Sequence, residues 1–195
     1  MHKCGRDGMH SSGAKCRSRL SACHFREPIP RLVKSLPIST SVDGQSNVLL
    51  IQERTGLWSW PGGKIEPDDD GPCAAMTRET WEEASLLIPE STWNLQGTES
   101  YPAMGLCLVF TGELNVSTLP VVKTTTDEHT LQAKWFSVKE AISLIMTPGA
   151  LRFDTAYEDP FAVYLRHRFP EEWHESYGST QEPSGRLHRR RVAYK

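Results

Sequence analysis

The sequence predicts an α+β fold, a mixed α/β sandwich, for the central part of the chain. Two observations carry that expectation. Apolar runs of strand length at 47–53 and 105–114 flank a helix-forming, acid-rich stretch at 72–87. Strands and helices then follow one another without the regular alternation of a doubly wound sheet.

The elements follow in order. Residues 1–27 are rich in Gly, Ser, Arg, His and Cys and poor in large apolar side chains, so they read as a disordered basic arm. Pro28, Pro30 and Pro37 punctuate the approach to the domain, which is expected over 28–175. A strand is expected near 31–41, turned back by Asp43-Gly44 into the strand at 47–53. Pro72 suits a first helical turn, Ala74 and Ala75 favour helix, and Pro89 limits the helix that follows. After the 105–114 strand come a short aromatic strand at 134–138 and an amphipathic helix at 139–146, stopped by Pro148-Gly149. A third helix is expected over 156–169, and 176–195 reads as a loose basic tail.

Composition bounds the function. The chain has 195 residues, 38% of them hydrophobic, and no apolar run of the roughly 18 residues that a membrane-spanning helix needs. A membrane partner is therefore not expected. Five cysteines without paired spacing do not make a disulfide scaffold, which points to a reducing compartment. The expected location is cytoplasmic, with a mitochondrial alternative suggested by the acid-poor arm. Charge is unevenly spread. Residues 1–26 carry six Lys/Arg against Asp7, and 178–195 carry five against Glu182, so the net charge of −2 hides an acidic centre. Such a centre suits cation chemistry, while the basic ends leave nucleic acid as an alternative partner.

The acidity is concentrated in one segment. Glu79, Glu82 and Glu83 stand at i, i+3 and i+4, so a helix places all three carboxylates on one face. Like charges so close destabilise the helix unless something positive sits among them. A hard divalent cation is the natural neutraliser, and oxygen ligands favour Mg²⁺ or Mn²⁺. Gly62-Gly63 allows a tight loop that brings a backbone carbonyl towards the same ion. Arg78 is placed to hold a carboxylate or to meet a phosphate.

This segment resembles the Nudix box, G-x5-E-x7-R-E-U-x-E-E-x-G-U, of the Nudix hydrolase family. Gly63, Arg78, Glu79, Glu82, Glu83 and Leu86 fall on its fixed positions, with Trp60-Pro61-Gly62 and Lys64 as the flank. Three positions depart. The first acid is Asp69 or Asp70, with one extra loop residue; Thr80 replaces an apolar residue; Ser85 stands for the Gly near the helix end.

The resemblance covers roughly residues 30–170. It implies a Nudix-type α/β/α sandwich around a mixed β-sheet and cleavage of the pyrophosphate linkage of a nucleoside diphosphate derivative. Glu79, Glu82 and Glu83, with the Gly62 carbonyl, would bind Mg²⁺ or Mn²⁺, and Glu128 before Trp135 would be a further ligand or the general base. Which glutamate takes the proton is left open. Arg54 and Lys64 are candidates for phosphate contact, and Trp58 for stacking on a base, whereas Trp60 suits core packing. The partner is then a small nucleotide. The competing function is a Nudix-fold module that binds a nucleotide or RNA end without efficient turnover, and the sequence is silent on oligomeric state.

Overall fold

A computed structural model describes residues 29–101, 105–123, 129–151 and 159–177. The expected arm at 1–27 lies outside them, as do most of the tail and Glu128. Six strands form one mixed sheet: β1 (Leu32–Thr40), β2 (Ser46–Glu53), β3 (Trp58–Ser59), β4 (Trp93–Tyr101), β5 (Gly105–Asn115) and β6 (Thr130–Ser137). Their order is β3-β2-β1-β5-β4, with β6 on the other edge of β2. Helix α1 (Pro72–Ala84) covers one face; α2 (Val138–Met146), α3 (Pro160–Arg168) and α4 (Pro170–Tyr177) cover the other.

Strand alternation divides the core in two. Leu36, Ile38, Val48, Leu50, Val109 and Phe136 pack with the α2–α4 helices, while Val33, Leu49, Phe110 and Trp135 pack with α1. The expected α/β/α sandwich is what the chain forms.

One irregularity positions the site. β1 and β2 pair only over Ile38–Thr40 and Ser46–Val48, next to their turn, and then diverge. The loop after β3 enters the gap as a surrogate strand. Val33 N–H donates to the Gly63 carbonyl (2.9 Å) and Ser35 N–H to the Pro61 carbonyl (2.8 Å). Val33, Ser35 and Pro37 present their backbone to the same side, so Pro37 falls where the loop leaves and β2 has not begun. Its missing N–H costs no ladder bond there. Pro37, one of the prolines that punctuate the approach to the domain, is thus accommodated inside the expected strand.

Several boundaries move. Helix α1 stops at Ala84 because Ser85 adopts a left-handed conformation (φ 53°, ψ 31°). β6 starts at Thr130, and Val138 opens α2 behind a Ser137–Glu140 capping box. The helix expected over 156–169 is α3, capped by Asp159 and ended before Pro170, which cannot continue it; Pro170 instead opens α4, a helix the sequence reading does not anticipate. The sequence reading also omitted β4. Its inner end is anchored by buried Trp93, but its other side chains alternate exposed and half-buried without an apolar row, as an edge strand can.

Candidate active site

Helix α1 carries Glu79, Glu82 and Glu83 on the face that meets the Gly62-Gly63 loop. Arg78 organises two of them. Its Nη1 donates to Glu79 Oε1 (2.9 Å) and Glu82 Oε2 (3.0 Å). Nε and Nη2 form a fork onto Asp69 (3.0 and 2.9 Å), and Nη2 also reaches the Lys64 carbonyl (2.8 Å). Asp69, not Asp70, therefore occupies the first acidic position, and the extra loop residue falls after it. Asp69 Oδ2 closes its own turn by accepting Glu66 N–H (2.8 Å). The guanidinium fork holds the Asp69 carboxyl below the usual carboxylate range, and that hydrogen bond in turn pushes Arg78 up.

Glu83 is only 6% exposed, and its Oε2 accepts Gly62 N–H at 2.9 Å. The two glycines are needed for separate reasons. Gly62 has φ +148°, and a Cβ there would lie 2.2 Å from the Val33 carbonyl oxygen. A Cβ on Gly63 would lie 2.5 Å from Glu79 Oε1. One glycine lets the loop sit against β1; the other lets Glu79 lie over the loop.

The loop is gripped from both sides of the sheet. Trp60 is buried against Phe161 (ring centroids 4.7 Å apart), and its indole N–H donates to Asp159 at 3.0 Å. Asp159 also caps α3 by accepting Phe161 N–H (2.7 Å), and its burial raises its pKa. Pro61 and Gly63 give their carbonyls to β1, so of these three residues Gly62 keeps its carbonyl off that strand. Its N–H already meets the acidic face of α1.

No three His, Cys, Asp or Glu side chains among the described residues form a ready-made cage for an ion. The donor chemistry nevertheless fits one. Arg78 gathers Asp69, Glu79 and Glu82, and Glu83 stands against the same loop on Gly62 N–H, so four carboxylates bring hard oxygen atoms together around one loop. That set suits Mg²⁺ or Mn²⁺ and no soft metal.

The remaining expected residues scatter. Glu128 lies outside the described residues. Arg54 is exposed at the β2–β3 turn, where its N–H donates to the His129 carbonyl (3.0 Å). The Lys64 side chain is exposed beside the loop. Trp58 is half-buried, edge-on to Phe136 at 4.7 Å, and packs at the border of the α2–α4 core. Asp159, which holds Trp60 from the far face, is not anticipated from the sequence, where its one signal is an acid before Pro160.

The NUDIX domain profile matches residues 38–175. No curated protein matches the chain's sequence. Among solved structures, the NUDIX domain of Shewanella oneidensis NrtR, complexed with ADP ribose, is similar at 21% identity and TM-score 0.53, over 70% of this chain and 86% of that one. The MutT protein from Methanosarcina mazei Go1 is similar at 18% identity and TM-score 0.50, over 72% and 96%. A MutT/nudix family protein from Enterococcus faecalis shares 18% identity at TM-score 0.46 over 60% of this chain, which spans only 46% of that protein. The profile match covers most of the chain and includes β2, the loop, α1 and the second face of helices: the chain belongs to the NUDIX domain family.

Proposed function

We propose that this protein is a metal-dependent hydrolase that cleaves the pyrophosphate linkage of a nucleoside diphosphate derivative. The observation that carries this reading is the seating of α1 on the loop. Glu83 on Gly62 N–H, Glu79 over Gly63 and Arg78 between Glu79 and Glu82 together aim an acidic face at one backbone turn.

Glu79, Glu82 and Glu83, with the Gly62 carbonyl, would hold Mg²⁺ or Mn²⁺. The ion supplies neutralisation of the diphosphate oxygens and activation of water. The protein's own part is positional. Arg78 fixes the Glu79 and Glu82 carboxylates while Asp69 fixes Arg78, so the acidic face is set before substrate arrives. The water oxygen bonds to one phosphorus as the bridging P–O bond breaks, and the water proton passes to a carboxylate, one of the α1 glutamates or Glu128. Arg54, Lys64 and Trp58 are proposed to meet the bound nucleotide.

The test is turnover of a panel: dNTPs and oxidised dNTPs, ADP-ribose, NADH, coenzyme A, dinucleoside polyphosphates and capped RNA, with Mg²⁺, Mn²⁺ or EDTA. Metal-dependent turnover of one class establishes the reading and names the substrate. Nucleotide binding without turnover of any compound refutes it and leaves the binding-module function.

A further inference from the structure

Ser39 is fully buried near the end of β1, and its Oγ is the one buried side-chain polar atom among the described residues that finds no hydrogen-bond partner. Buried hydroxyls are paired as a rule, because an unmade hydrogen bond leaves the desolvation of the group uncompensated. An orphan of this kind calls for a partner that the fold itself does not supply.

Ser39 lines a cavity of about 590 Å³ at the end of the sheet. It shares the parity of Val33 and stands opposite Asn47 of β2, so both side chains leave the sheet on the α1 face and form the floor. One wall is the β1–β2 turn with Ser41, Asp43 and Gln45; the other is the chain after β5, with Ser117 and Leu119. Both walls are held. Ser41 N–H donates to the Gln45 carbonyl (2.9 Å), and the Ser41 hydroxyl donates to Asp43 Oδ1. Beyond β5, Val116 N–H donates to the Thr40 carbonyl (3.1 Å) and the Trp135 indole N–H to the Pro120 carbonyl (2.8 Å). The acidic face of α1 lies elsewhere. Its glycine loop meets β1 as far as Ser35, four residues from Ser39, or about 13 Å at strand spacing.

We infer that this cavity is a second binding site and that it takes a neutral polyhydroxyl ligand, a sugar. The lining decides the class. It holds one ionisable side chain, Asp43, and no cation, so a phosphate or carboxylate meets repulsion there. Asp43 is exposed, and a solvated carboxylate by itself holds an ammonium weakly. The other polar side chains are hydroxyls and amides, which donate and accept at once, as the hydroxyls of a sugar require. The Ser41 hydroxyl and Gln45 N–H both bind Asp43 at Oδ1, which leaves Oδ2 to accept from the ligand. Val42 and Leu119, both exposed, offer apolar surface to the C–H face of the ring. Ser39 supplies the deepest hydrogen bond, and its own hydroxyl is thereby satisfied. The site makes no use of the hydrolase reading.

The experiment titrates the full chain by amide NMR with D-glucose and D-ribose, beside inorganic phosphate and ammonium chloride as charged probes. Wild type is expected to show saturable shifts at 39–47 and 117–119 with at least one sugar, and none there with phosphate or ammonium. Ser39→Ala is expected to keep or raise Tm, since it removes an unpaired buried hydroxyl. It should weaken the binding of that sugar roughly fivefold, the share of one neutral hydrogen bond. Ser117→Ala, at an exposed position of the other wall, weakens it in the same direction with Tm unchanged. Shifts that stay linear in both sugars or spread over the whole surface overturn the inference, as does preferential binding of phosphate or ammonium. A fall in Tm for Ser39→Ala with sugar affinity unchanged also overturns it, because the hydroxyl then serves the fold. None of these readouts needs turnover, so failure of the hydrolase reading and failure of this one are seen separately.

Discussion

Replacing the two adjacent loop glycines by alanine should give opposite phenotypes. At Gly62 the added Cβ meets backbone, with Val33 O at 2.2 Å and Lys34 Cα at 2.8 Å. Neither can yield easily, because β1 is paired in register with β5 along its whole length. Overpacking of that kind costs ~1–3 kcal/mol, and an L-residue at φ +148° adds ~1–2 kcal/mol. Gly62→Ala is therefore expected to lose ~2–5 kcal/mol, a drop in Tm of roughly 5–15 °C for a domain this size. At Gly63 the obstacle is the Glu79 carboxylate at 2.5 Å, the far end of a flexible side chain that Arg78 holds. Glu79 can swing aside, so Gly63→Ala should keep stability within about 1 kcal/mol. It displaces a carboxylate of the site, and displacements on the order of 1 Å cost about 100-fold in rate. Gly97→Ala on β4, with nothing within 4 Å of the added Cβ, is the neutral control. Urea denaturation and initial rates on the three variants decide the matter. A Gly62→Ala protein as stable as Gly97→Ala, or a Gly63→Ala protein with full activity, would refute the loop geometry.

Three further expectations concern single side chains. Glu82 is 47% exposed and shares Arg78 with Glu79, so Glu82→Gln should leave stability within ~0.5 kcal/mol. Its turnover should fall at least about 100-fold, the upper end of what loss of an outer-sphere partner of a metal costs; full activity in a rate assay would remove Glu82 from the site. Ser85 is the one described non-glycine residue with positive φ, so Ser85→Gly should gain ~0.5–1 kcal/mol in denaturant titration, and a loss would mean that its hydroxyl matters more than its backbone. Asp159 and Asp69 should show opposite pH dependences. Burial raises the folded pKa of Asp159, so its contribution falls as pH rises from about 4 through that value and stays low above it. Arg78 lowers that of Asp69, whose contribution is full above about 4 and is lost as pH falls through the folded value. Denaturant midpoints of Asp159→Asn and Asp69→Asn against wild type, from pH 3 to pH 8, would show two parallel profiles if these assignments were wrong.

What the sequence revealed and what it hid follow from how far each feature reaches along the chain. Helix α1 and its three glutamates are local, written in spacing that any helix turns into a face, and β2 and β5 are apolar runs that need burial wherever they fall. The choice between Asp69 and Asp70 was not local. Spacing allowed both, and the fork of Arg78 nine positions away decides it. The divergence of β1 from β2 was equally hidden, because it depends on a loop inserting between strands adjacent in sequence. Pro37 marks that point but reads, alone, as a breaker. β4 lacked an apolar row because it forms an edge. The hydrogen bond from Lys34 to the Tyr101 hydroxyl joins residues 67 positions apart, a pairing that the β1–β5–β4 order creates.

The most direct test of the central claim is hydrolysis in ¹⁸O-labelled water followed by ³¹P NMR, using the panel compound that turns over and wild-type protein with Mg²⁺. The account expects the label on phosphorus in one of the two products, a reaction stopped by EDTA, and no comparable label with Glu82→Gln. Label on carbon or sugar oxygen instead, or equal labelling with the variant, would contradict the assignment of this acidic helix and its glycine loop as a diphosphate-cleaving centre.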